Sequence, residues 1–167
     1  MQKFITLREI SLILNKMIQI KIKKLKPDAI IPKYSHVGDA GMDLTAISRE
    51  WKYASGGGYY EYGTGLAIEI PEGYVGLIFP RSSQSNVNQL LTNHVGVIDS
   101  NYRGEIKFRF KPVYQFVREL NENFDVYEIG HRIGQLIILP YPQIEPVEVD
   151  ELSETERGEN GFGSSGR

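Results

Sequence analysis

The chain has no cysteine among its 167 residues. Disulfides, thiolate metal sites and cysteine nucleophiles are excluded together. Histidine is scarce as well. His36, His94 and His131 lie far apart without ligand spacing, so they read as turn or surface residues. No run approaches the ~18 apolar residues of a membrane helix. The stretch from Ile10 to Leu14 is moderately apolar but has no small-residue cleavage site after it, which argues against a secretory signal and for the cytoplasm. An excess of one charge is missing too. The 19 Lys+Arg and 21 Asp+Glu leave a net charge of −2, so no global field draws in nucleic acid or an anionic membrane. A local basic cluster for a phosphorylated small molecule is still allowed.

What is present is the pattern of one all-β domain. A hydrophobic fraction of 41% with 24% charged residues suits a soluble chain with a single core. After Met17, Ile18, Ile20 and Ile22 alternate with Gln19, Lys21 and Lys23, the signature of a half-buried strand. Strand patterns recur at 66–70, 74–79, 95–98, 105–110, 134–140 and 146–149. Turn residues punctuate them: GGG at 56–58, PEG at 71–73, DSNYRG at 99–104. Many short strands so punctuated predict a sandwich or barrel. Only residues 2–16 carry helical spacing, with Leu7, Ile10 and Leu14 on one face. The expected organisation is an appendage over 1–16 (helical, or preceding a true start at Met17), a barrel over 17–156, and a glycine-rich tail over 157–167.

Five stretches carry candidate chemistry. In DAGMDLTA (39–46), Asp39 and Asp43 bracket a glycine; such residues also simply favour turns. In FPRSSQSN (79–86), Arg81, Ser82 and Ser83 follow a strand. They make either a phosphate cradle or the cap of a helix from about Gln84 to Leu91. NHVGVIDSNYRGEIKF (93–108) sets Asp99 and Tyr102 in a loop between two apolar strands. A plain hairpin tolerates the Asp, Ser, Asn and Gly but leaves the tyrosine unexplained. A flat base on the backbone groups, with Asp99 polarising a water, explains both. GHRIGQLIILP (130–140) holds Arg132 and Gln135 as polar intruders in a core strand. RGENGFGSSGR (157–167) has four glycines around one Phe162, the composition of a frayed end or of an amide-lined anion wrap.

Singly ambiguous, these motifs in this order resemble those of the homotrimeric dUTPase family over residues 17–167. The resemblance implies a jelly-roll-like β barrel, three active sites shared among subunits, and hydrolysis of dUTP to dUMP and pyrophosphate. That reaction would lower dUTP and supply dUMP for thymidylate synthesis. It also implies Mg²⁺ held mainly by the substrate's phosphates.

Carried over by position, Asp99 is the carboxylate that activates the attacking water and Tyr102 the ring that packs on the deoxyribose. Asn93, Val97 and Ile98 read the uracil edge, and Lys107 borders the nucleotide. Arg81, Ser82, Ser83 and Gln135 hold phosphate. Asp43 reaches the metal's waters, or a neighbouring arginine across the subunit boundary. In the tail, Phe162 lies over the uracil while Arg157, Ser164 and Ser165 close on the γ-phosphate, making 157–167 a flexible lid. Ser83, Asn101 and Asn160 stand where many members carry glycine, an acid and glycine, respectively. The rival readings are a dCTP deaminase and a non-catalytic barrel; neither needs Asp99, Tyr102 and the tail together.

Overall fold

The computed structural model describes residues 18–113 and 126–160. The candidate helix at 2–16 and the tail residues Phe162, Ser164 and Ser165 lie outside them. Nine strands form two antiparallel sheets among the described residues. The first sheet runs β1 (Lys21–Lys24), β4 (Gly57–Glu69), β8 (Glu105–Pro112), β6 (Gln89–Leu91), with β3 (Ser48–Ala54) also on β4. The second runs β2 (Met42–Thr45), β9 (Arg132–Pro140), β5 (Tyr74–Phe79), β7 (Gly96–Ile98).

Alternation builds the core. On β8, Ile106, Phe108 and Phe110 are fully buried while Lys107 and Arg109 face outward, as a period of two requires. Leu44, Ile78, Ile133 and Leu136 meet them from the second sheet. The sheets approach closely where Gly134 faces Phe108. A Cβ there would collide with the Phe108 ring and stand 2.9 Å from the Phe79 carbonyl oxygen. The 13-residue β4 bends at Gly65, whose φ of +65° and tight contact with Ile47 and Ala29 both call for glycine. Around it β4 pairs with β8 up to Gly63 and again at Ala67, across a register shift, and with β1 from Leu66 to Glu69.

Two expectations are corrected, and two alternatives that the sequence left open are decided. The alternation at 18–22 is real for Ile20 and Ile22, which pack on the core, but the strand begins at Lys21 and Ile18 is 51% exposed. Residues 146–149 form no strand. Val147 and Val149 are 75% and 55% exposed, because Pro142 and Pro146 remove donors and no described strand pairs with the segment. No helix spans 84–91. A 3₁₀ turn at Ser82–Asn86, without a side-chain cap, gives way to β6, whose Gln89 and Leu91 point inward. Finally, 93–108 is not a plain hairpin. β7 pairs with β5 and β8 with β4 and β6, so the 99–104 loop crosses from one sheet to the other.

Candidate active site

The crossing loop makes a cleft of about 390 Å³. Asp99, Tyr102, Asn93, Val97, Ile98 and Lys107 all line it, with Ile78 and Gly96 beneath and Arg109 at the side. β7 is a sheet edge, and an edge strand offers unpaired main-chain N–H and C=O groups. Asp99 is exposed, and its carboxylate enters no ion pair among the described residues. Its backbone oxygen accepts from the Tyr102 N–H at 3.0 Å, closing the turn that brings the two side chains together. The Tyr102 hydroxyl donates to the Glu105 carbonyl at 3.0 Å and the ring lies on Gly104, which has no room for a Cβ. That fixes the ring as a wall.

Asn93 is committed to the main chain. Its Nδ2 donates to the Lys107 carbonyl at 3.1 Å and its Oδ1 accepts from the Arg109 N–H at 2.9 Å. It therefore staples the approach to β7 onto β8.

The carboxylate that organises the side of this cleft is Glu61, on β4. It is 5% exposed and accepts from Lys52 Nζ at 2.9 Å, Lys107 Nζ at 3.0 Å and Arg109 Nε at 2.9 Å, with Arg109 Nη2 in ion-pair contact at 2.9 Å. Burial works to raise its pKa, but hydrogen bonds from Lys52 and Lys107, with Arg109, prevail and hold it down to about 2.

A second cluster lies on the other sheet. Asp43 of β2 accepts from Arg81 Nε at 2.8 Å and from Arg132 Nη1 at 3.0 Å. Arg81 Nη1 donates onward to Ser83 Oγ at 3.2 Å. Gln135, opposite Asp43 in the β2–β9 register, donates to the Pro80 carbonyl at 3.1 Å and anchors the foot of the loop. Arg81, Ser83 and Arg132 open onto a cleft of about 560 Å³. Ser82 is exposed beside them. The arginines at Asp43 belong to the same chain, where the sequence suggested one across a subunit boundary. With a guanidinium on each oxygen, Asp43 does not fit as a ligand for a dication. Among the described residues no group of three or more His, Cys, Asp or Glu is gathered in metal-binding fashion.

The two clusters are not merged: neither cleft contains both Asp99 and Arg81. Arg157 joins neither, its Nε donating to the Asn160 carbonyl at 2.9 Å within a local turn. Glu61 and Arg109 escape a reading of the sequence, since a lone acid and a strand arginine carry no motif. The outward phase of Lys107 and Arg109 on β8 is the available signal.

Known proteins carry the same framework. A profile of the dUTPase family matches residues 27–166. The chain belongs to the dUTPase family. A deoxyuridine 5'-triphosphate nucleotidohydrolase from Alkaliphilus metalliredigens is 41% identical over 151 residues, covering 90% of this chain and 99% of that protein. The one from Escherichia phage T5 is also 41% identical, over 155 residues, covering 88% of this chain and 98% of that protein. The structure of the Staphylococcus bacteriophage 80alpha dUTPase with dUPNHPP aligns with a TM-score of 0.73 at 30% identity, covering 89% of this chain and 99% of that one. Family membership thus spans both clusters and both sheets.

Proposed function

We propose that the chain hydrolyses dUTP to dUMP and pyrophosphate, with Asp99 as general base. The observation that carries this reading is a carboxylate without an ion pair among the described residues, held in a cleft between an edge strand and a fixed tyrosine. The free main-chain groups of Val97 and Ile98 read the uracil edge, and Asn93 holds them in place through β8. The Tyr102 ring leaves no space for a 2′-hydroxyl, a steric rejection that attraction alone does not provide. Asp99 takes a proton from water as the water oxygen bonds to the α-phosphorus, and the bond to the bridging oxygen breaks to release pyrophosphate.

Arg81, Ser82, Ser83 and Gln135 form the phosphate side of the site. Because Arg81 and Asp99 open onto separate clefts, the phosphate side facing a given Asp99 comes from another copy, and a homotrimer with shared sites satisfies this. In the same reading the tail brings Arg157, Phe162, Ser164 and Ser165 over the bound nucleotide. Mg²⁺ bound to the triphosphate neutralises phosphate charge; Asp43, committed to its arginines, is not assigned to it.

Pyrophosphate release from dUTP, UTP, dTTP and dCTP with Mg²⁺ tests the reading. dUTP should be preferred by at least about 100-fold. Comparable rates for all four, or ammonia release from dCTP, would overturn it.

Gly104→Ala offers a finer check. The new methyl displaces the Tyr102 ring, so preference for dUTP over UTP should fall roughly 10-fold with little change in stability. An unchanged preference would remove Tyr102 from the sugar wall.

A further inference from the structure

Tyr127 is 4% exposed, yet its hydroxyl has no hydrogen-bond partner among the described residues. Buried polar groups are nearly always paired, so an orphan calls for a reason. Slackness is not the reason. The Tyr127 carbonyl accepts from Tyr62 Oη at 2.9 Å and Arg49 Nη1 at 3.0 Å, and its N–H donates to Gln89 Oε1 at 3.4 Å. The ring is clamped by Phe110 and Tyr62, at centroid distances of 5.2 and 6.4 Å.

The phenol belongs to the wall of the Arg81–Ser83–Arg132 cleft. Of the polar groups on that wall, the Arg81 charge and the Ser83 hydroxyl are the ones that act on it. Burial keeps it above the ordinary tyrosine pKa despite their opposing pull, so at neutral pH it is a proton donor. Ser83 Oγ meanwhile accepts from Arg81 Nη1 and keeps a second lone pair and its own proton to direct elsewhere.

We propose that Tyr127 is a positioning residue of the phosphate site: when a phosphate oxygen accepts the Ser83 hydroxyl proton and an Arg81 N–H, the Tyr127 hydroxyl donates to Ser83 Oγ and aims it at the anion. The chain Tyr127 O–H to Ser83 O–H to phosphate is complete only with ligand bound, and each link polarises the next. The buried phenol never touches the anion and acts through Ser83. This deepens the reading above, since it rests on Arg81 and Ser83 holding phosphate.

Tyr127→Phe in the full chain deletes the hydroxyl and keeps the ring. KM for dUTP should rise about 3- to 10-fold, the range for one hydrogen bond gained on binding. kcat should stay within about twofold, and Tm should hold or rise. In a Ser83→Ala background the same change should do nothing further. Calorimetric titration with inorganic tripolyphosphate reads the anion site without turnover, and its affinity should fall by the same factor. If the wild type binds tripolyphosphate through Tyr127 but leaves dUTP intact, only the substrate assignment fails. Unchanged KM and tripolyphosphate affinity, an undiminished effect in Ser83→Ala, or joint loss of kcat and Tm would each overturn the proposal.

Discussion

Asp99→Asn is expected to leave the fold and dUTP binding nearly intact while turnover falls by at least ~100-fold, the range for a lost general base. The asparagine matches the carboxylate in shape but cannot accept the proton of the attacking water. Folding should be indifferent, because the exposed Asp99 carboxylate joins no ion pair among the described residues and its structural bond is made by the backbone oxygen. Pyrophosphate release in single turnover, alongside calorimetric binding of a non-hydrolysable dUTP analogue, separates chemistry from affinity. An unchanged rate, or a loss explained wholly by weaker binding, would return the reaction to another group.

The largest expected effect on stability belongs to Glu61→Gln. The native carboxyl, held down to about 2 from an ordinary 4.5, binds protons less readily folded than unfolded. Its contribution is therefore complete above the unfolded pKa and lost as pH falls from about 5 through 2. The full shift corresponds to roughly 3 kcal/mol. Solvent reaches Lys52, Lys107 and Arg109, which are 33%, 41% and 52% exposed, and their screening trims this to about 2 kcal/mol. Urea midpoints should show the variant less stable at pH 7 by that amount and level with wild type near pH 2. A gap independent of pH would mean that packing, and not charge, is what Glu61 supplies.

Legibility follows periodicity. β5 is legible residue for residue in YVGLIF, β8 in its alternating apolar residues, and β9 in the continuous apolar run LIIL. β3 and the first half of β4 are invisible because Glu61, Gly63 and Thr64 show no apolar period, yet a strand paired on both sides buries them. At 146–149 the converse holds: alternation with nothing beside it among the described strands. The Asp99–Tyr102 loop is legible because a carboxylate and an aromatic share one turn. The Asp43–Arg132 pair, 89 residues apart in sequence, exists only through the β2–β9 register, and the three cations on Glu61 arrive from two neighbouring strands.

The crossing of the 99–104 loop between sheets turns core packing into a gauge for the chemistry. Asp99 follows the end of β7 on one sheet, and Lys107 and Arg109 stand on the other. The jaws are set by how thick the sandwich is, and Gly134 against Phe108 is the shim that sets it. Any side chain at 134, although buried and far from the loop in sequence, would act as a wedge and reset the gap between Asp99 and the two cations.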